Sequence, residues 1–576
     1  MLLYLKFRPR ASLLPDLTKT GAKRISVSLP RPYTSKSLEN QDAKSYYITT
    51  PIFYPNAVPH IGHLYSLVAG DILARFARLS DPNRPVSFLA GTDEHGLKIQ
   101  KAAKDQGLEP KVLCDKLSQQ FRNLAARANV SNTIFLRTTE DAHHKAVEDI
   151  WHRLNTKGLI YKGSYEGWYS VSDECFYTDT QVTKSSIPGG DVMVSIETGS
   201  VVEWSAEENY KFRLSAFRDS LLAHYVANKD AIFPPSYHAR IIDSLSSEPL
   251  EDLSISRPRS RLSWGIPVPG DPGHTIYVWF DALTVYLTGL GYPWKTAGIN
   301  GHAEGWPPNV QVIGKDILRF HAIYFPAMLQ ALNLPLSRTL LSHAHWTVQQ
   351  RKMSKSVGNV ADPFEAMDTF GVDVVRFYLA RVGGRFRDDV DWSHDQLEKH
   401  GEEIRSLLGN FFLRITSKAI QSRIASASPL SVHQLTTQTY SGEDLLKTGN
   451  IGVLTSLREL GPTVRKNIGL LEVGDALDAI ILCLKQANAA MTHIGPWARE
   501  PEVAQASYVT SMETLRLCAI CLQPFIPSTA GRLLEALGVP LHERTLQFAE
   551  LGAGKVGEGV KGVKLFPPAH AKKIDI

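Results

Sequence analysis

From Ser45 to Tyr54 the stretch SYYITTPIFY is dense in β-branched and aromatic residues, the composition of a strand. Pro55, Asn56 and Pro59 then make a turn. In HLYSLVAGDILARFARL the apolar positions fall at Leu64, Leu67, Val68, Ile72, Leu73 and Phe76, a helical period. VSFLAGTDEHG gives a second short apolar strand running into a polar loop, and a helix is predicted around Ile99 to Cys114. Strand, helix, strand, helix predicts an α/β fold with a parallel sheet, its site at the carboxyl ends of the strands. Past about Asp395 the texture becomes helical. Leu397, Ile404, Leu407, Leu408, Phe411 and Phe412 share one face, and DALDAIILCLKQANAAMTHIGPW and YVTSMETLRLCAICLQPF repeat the pattern.

At 576 residues the chain is too long for one core, and three or four domains are expected. Its 43% hydrophobic and 21% charged residues are ordinary for a globular protein. No run of about 18 apolar residues could form a membrane-spanning helix, so no membrane partner is expected. A net charge of +5 permits a nucleic-acid partner without demanding one. Of the cysteines Cys114, Cys175, Cys483, Cys518 and Cys521, only the last two form a CxxC pair, with no second pair to complete a zinc site. They lie in one apolar helical stripe and are expected in the core of a protein from a reducing compartment. The leader, residues 1–44, differs: as far as Leu38, the bases Lys6, Arg8, Arg10, Lys19, Lys23, Arg24, Arg31 and Lys36 oppose the single acid Asp16, with frequent Ser and Thr and no long apolar segment. That is the composition of a mitochondrial transit peptide; a disordered basic tail is the alternative.

Candidate chemistry starts at PNAVPHIGHLYS, where His60 and His63 bracket Gly62. A zinc site would want a third ligand and usually an acidic residue between the histidines, as in HExxH, but Ile61 and Gly62 stand there. A helix N-terminus at a strand end favours an anion instead. The two imidazoles can donate to a phosphate, while Gly62 lets a flat base approach the backbone. Far downstream, RKMSKSVGN carries Lys352 and Lys355 among small hydroxyl residues and Gly358, a polar loop with two cations.

HxGH after the first strand together with KMSKS resembles the class I aminoacyl-tRNA synthetases. Within them the chain resembles the methionyl-tRNA synthetases, mitochondrial type, from about Tyr46 to Phe525. The likeness is carried by ITTPIFYPNAVPHIGH, GTDEHG, EGWYSVSDE, DLSISR, WGIPVPG, YVWFDA, VIGKDILRFHAIYFPAML, RKMSKSVGN and DVVRFYLAR. The resemblance implies activation of methionine with ATP and Mg²⁺, then transfer to tRNA(Met) for mitochondrial translation, in the matrix. His60, His63, Lys352 and Lys355 would be catalytic. Gly62, Gly314, Asp316 and the two lysines would bind ATP. Ile52, Tyr54, Asp93, Trp279, Ala282, Tyr286, Ile317 and His321 would bind methionine, Asp93 through the ammonium group. Soft thioethers prefer aromatic edges, in agreement with Tyr54, Trp279 and Tyr286. Leu283 stands where some relatives have proline.

The implied architecture is a Rossmann-like catalytic domain (residues 45–159 and 236–345) split by a connective insertion (160–235). A KMSKS and stem-contact region (346–395) and a helical anticodon-binding bundle (396–576) follow. In the bundle Asn410, Pro496 and Trp497 match positions that read anticodon bases in the family, as splayed bases stack on aromatic faces. In GWYSVSDECFY, Ser170 and Asp173 occupy the places of zinc cysteines, leaving only Cys175. A knuckle without structural zinc is therefore expected, held by packing of Tyr165, Trp168, Tyr169 and Phe176. The insertion is too short for a large editing domain, and a monomer is expected. Two other classes compete. A small-molecule nucleotidyltransferase would not need the extra helical domain, and a noncatalytic tRNA-binding scaffold would not be expected to keep His60, His63, Asp93, Lys352 and Lys355 together.

Overall fold

A computed structural model describes residues 45–171, 175–187, 190–196, 198–294, 301–353, 358–437 and 450–566. The basic leader and Lys355 lie outside these residues, as does Asp173.

Six strands form the central sheet: β1 (Tyr46–Thr49), β2 (Val86–Thr92), β3 (Ile134–Arg137), β4 (Ile232–Phe233), β5 (Val310–Gly314) and β6 (Thr339–His343). Their order is β3-β2-β1-β5-β6-β4, and every pairing is parallel. The chain runs outward from β1 to β3, then crosses to build the other half, so the strand order reverses between β1 and β5. Ligand crevices of open α/β sheets form at such a point. Helix α1 (Ile61–Ser80) follows β1 and is buried along most of its length against one face of the sheet. Helices α2 (Asp141–Thr156) and α3 (Val278–Thr288) pack on the other face. The helix predicted from Ile99 to Cys114 is two helices, Leu97–Asp105 and Pro110–Arg127. Gly107, at φ 65°, and Pro110 divide them.

The segment 160–235 builds an antiparallel sheet in which Glu203–Phe212 lies between Ile160–Ser170 and Leu253–Ser254, with Cys175–Tyr177 at the edge. Phe233 already belongs to the parallel sheet, and Leu253–Ser254 returns to the antiparallel one. Its tip packs through aromatics: Tyr169 meets Phe176 at 4.9 Å and Trp168 meets Trp204 at 5.4 Å, both edge to face. The buried Arg257 guanidinium lies 5.3 Å from the Tyr169 ring and 4.6 Å from that of Tyr277, tying this sheet to the start of α3.

Helix α4 (Val372–Gly383) bridges the sheet and the helical region. Its Arg376, fully buried, reaches Asp71 of α1 at 2.7 Å and donates to the carbonyls of Pro524, Phe525 and Ala128. Burial opposes the charge on Asp71, but Arg376 and Arg75 hold its carboxyl below the usual carboxylate range. Beyond α4 come α5 (His394–Ile404), α6 (Asn450–Gly469), α7 (Val473–Ile494), α8 (Pro501–Leu522) and α9 (Pro527–Ala536). Cys518 and Cys521 are fully buried in α8, as the apolar stripe predicts. Among the described residues no helix is long and apolar enough to cross a membrane.

Candidate active site

The backbone of β1 continues to Phe53, whose N–H donates to Gly91 O and whose carbonyl accepts from Asp93 N–H, both at 2.9 Å. This brings the segment before α1 against the end of β2. His60 caps α1: its Nδ1 accepts from Gly62 N–H, and His63 Nδ1 accepts from His60 N–H, each at 3.0 Å. With both Nδ1 atoms accepting, each neutral ring carries its proton on Nε2. The rings lie 3.8 Å apart, tilted by 30°, and His63 is in edge-to-face contact with Phe53 and Phe121. Two imidazole donors thus flank the positive end of a 20-residue helix. Gly62 has a local reason as well: a Cβ there would lie 2.9 Å from His60 Cε1 and push the capping ring away.

Asp93 is buried at the carboxyl end of β2. Tyr54 donates its hydroxyl to His95 O at 2.6 Å. Along α3, Trp279, Ala282 and Tyr286 follow at helical spacing on one face. His321 is buried and donates from Nδ1 to Ile317 O at 2.9 Å. Burial pushes its pKa down to about 4, so its Nε2 is a bare acceptor for the Tyr286 hydroxyl at 2.7 Å. The Tyr286 hydroxyl stays protonated, its pKa raised by burial and then by the nearby Asp93 charge. Trp279 stacks on Phe320 at 3.8 Å and presents to His321 edge to face. Ile317 is half-buried and Leu283 buried, as is Ala282. The result is a cluster of aromatic rings with the Asp93 carboxylate near Tyr286.

At the end of β5, a Cβ on Gly314 would lie 2.7 Å from Asp316 Oδ1. Asp316 receives Lys352 Nζ at 2.8 Å and lies 3.2 Å from His345 Nε2. Burial opposes its charge, but these two bonds hold its carboxyl well below the usual carboxylate range. The segment after the KMSKS loop closes on α1, Ile61 N–H donating to Ala361 O at 3.1 Å.

Several residues here gave no signal in the sequence. Asp281, one residue before Ala282, accepts from His95 Nδ1 at 2.6 Å and His143 Nε2 at 2.7 Å. His345 and His343 stand at the end of β6, where His343 Nε2 meets the Ser66 hydroxyl of α1 at 2.8 Å. Only a known contact order could have exposed such long-range pairs.

In the helical region Asn410 is exposed, and Pro496 is buried in the short turn that follows Gly495, at φ 59°. Trp497 is 43% exposed. Arg414, one turn beyond Asn410, lies 5.9 Å from the Trp497 ring, which puts both expected bases-readers on one side of the bundle. At the tip of the insertion, Ser170 is buried, and among the described residues no group of three or more His, Cys, Asp or Glu could hold a metal.

The family model of class I tRNA synthetases of the methionine type matches residues 46–189 and 191–416. A mitochondrial methionine–tRNA ligase of Takifugu rubripes is 44% identical over 87% of this chain and 84% of its own length. The Homo sapiens mitochondrial methionine–tRNA ligase is 41% identical over 93% of this chain and 92% of its own. A Mycobacterium tuberculosis methionyl-tRNA synthetase bound by methionyl-adenylate superposes with a TM-score of 0.80 at 36% identity, covering 91% of this chain and 100% of that one. With the paired histidines and the buried carboxylate beyond the carboxyl ends of β1 and β2, and the aromatic cluster of α3 and His321, the chain belongs to the methionyl-tRNA synthetase family of class I.

Proposed function

We propose that the chain activates methionine with ATP and then charges tRNA(Met). The methionine carboxylate attacks the α-phosphorus, a new P–O bond forms, and the bond to the bridging oxygen breaks to release pyrophosphate. The ribose hydroxyl at the tRNA 3′ end then attacks the carbonyl carbon of methionyl-adenylate, expelling AMP. The observation that carries this reading is the pair of capping histidines beside Asp93 and the pocket of Tyr54, Trp279, Ala282, Tyr286, Ile317 and His321. Asp93 would take the ammonium group and the aromatic rings the thioether, beside Ile52. A neutral His321 suits an uncharged side chain, because an imidazolium there would lose its hydration with only a thioether to face it.

His60 and His63 would donate from Nε2 to the α-phosphate. Gly62, Gly314 and Asp316 would border ATP, and Lys352 and Lys355 would neutralise the departing pyrophosphate. Such chemistry depends on positioning and charge neutralisation, with a preorganised donor contributing about 3–4 kcal/mol in the transition state. Mg²⁺ would arrive on the nucleotide phosphates, where it keeps several waters and needs one or two carboxylates; the ionised Asp316 is a donor of that class. Asn410, Pro496 and Trp497 would read the anticodon. The protein would act as a monomer in the mitochondrial matrix, delivered there by the basic leader.

Pyrophosphate exchange tests the reading. Exchange should require methionine and ATP and proceed without tRNA; equal stimulation by leucine or cysteine overturns it.

A further inference from the structure

The methionine pocket has two walls that come from distant parts of the chain. One is the segment at the end of β2 with Asp93, which also fixes Tyr54 through the His95 carbonyl. The other is α3, with Trp279, Ala282 and Tyr286. Asp281 of α3, 1% exposed, joins them, its two carboxylate oxygens each held by a histidine. Its Oδ2 takes His95 Nδ1 at 2.6 Å, and its Oδ1 takes His143 Nε2 at 2.7 Å. His143 Nδ1 continues to the Thr288 hydroxyl at 3.0 Å, back on the last turn of α3. The loop is clamped from the other side too, Trp264 Nε1 donating to Glu94 O and Gly96 N–H to Trp264 O.

A buried carboxylate is costly unless fully bonded, and breaking one partner leaves a buried charge uncompensated. Burial works against the charge of Asp281, but the two histidines hold its carboxyl well below the usual carboxylate range. The separation of the two walls is therefore set by a short charge-assisted bond of fixed direction rather than by apolar packing, which tolerates sliding.

We infer that Asp281 is a positioning residue for amino-acid selection: through His95 it sets the distance between the ammonium-binding carboxylate of Asp93 and the thioether wall of α3. This inference rests on the methionine assignment. Asp281 touches neither substrate, and it acts on length. A side chain with one methylene fewer would leave either the ammonium group or the thioether short of its partner.

The test is pyrophosphate exchange by the full chain with methionine and with S-methylcysteine, which is one methylene shorter. Asp281→Asn keeps the volume but loses the charge. Its KM for methionine should rise about tenfold, the scale of one charge-assisted hydrogen bond, with the KM for ATP unchanged. The preference for methionine over S-methylcysteine should shrink by a similar factor. His95→Asn, whose side-chain nitrogen can stand where Nδ1 stands, should keep most of the preference; His95→Ala should lose it. An unchanged KM for methionine in Asp281→Asn overturns the inference. So does a parallel loss for both substrates and ATP with a falling Tm, or equal behaviour of His95→Asn and His95→Ala. If the unaltered protein shows no methionine-dependent exchange, the assignment itself fails, which is a different result.

Discussion

Lys352 Nζ lies 2.8 Å from Asp316 Oδ2, so the start of the KMSKS segment is tied to the turn just beyond β5. The lysine is 62% exposed, and an exposed pair of this kind contributes at most about 1 kcal/mol to stability. Its worth is positional: it holds a cation beside the crevice where the strand order reverses. Asp316→Ala should leave Tm almost unchanged yet raise the KM for ATP severalfold in pyrophosphate exchange. A large fall in Tm with an unchanged KM would make Asp316 a structural residue only.

Lys355→Ala should lower the exchange rate by about a hundredfold or more while leaving the KM for methionine unchanged. The contact it would supply strengthens as pyrophosphate departs, so its loss belongs to kcat. An unaltered rate in a folded variant removes Lys355 from the mechanism.

The sheet was legible because strand composition and helix period alternate cleanly from Tyr46 to Ser80 and on to Thr92. His60 and His63 stood out as candidates because strand ends carry function in such folds, whereas Asp93 was singled out only by the family resemblance. Asp281 was not. Within YVWFDALTVYL it reads as one polar residue in a buried helix, and its partners lie 186 and 138 positions away. Arg376 is the same case, a cation inside an apolar helix whose Asp71 partner sits on another helix. A buried charge can be explained only after its counter-charge has been placed.

His343 gives a pH prediction. Burial pushes its pKa down to about 4 against 6.5 in an unfolded chain. The unfolded state therefore binds a proton that the folded state refuses, so this stability is present above pH 6.5 and is lost as pH falls towards 4. Over that window it amounts to about 3 kcal/mol. In His343→Gln, the slope of unfolding free energy against pH should fall by about 1.4 kcal/mol per unit between pH 6 and 4.5, measured by urea titration. An identical slope would mean that His343 is protonated in the fold.

At the insertion tip, purified protein should carry no stoichiometric zinc, because Ser170 is a poor ligand in place of a thiolate and Tyr169 and Phe176 already pack the two paired strands together. Elemental analysis finding one zinc per chain, with unfolding of the tip on chelation, would reverse this expectation.

Trp497→Ala should impair charging of tRNA while sparing adenylate formation. The ring is 43% exposed on the turn after α7, fixed by Pro496 and faced by Arg414. A base stacked on it would contribute about 1–3 kcal/mol, which is roughly tenfold to hundredfold in tRNA affinity. The residues proposed for activation all lie outside the helical bundle, so pyrophosphate exchange should barely change. Because much of the residue is already exposed, its removal should cost little in Tm. If charging and exchange fall together and Tm drops, the ring serves the bundle core instead. If neither changes, the anticodon is read elsewhere, and Asn410→Ala, one turn before Arg414, is the next variant to measure.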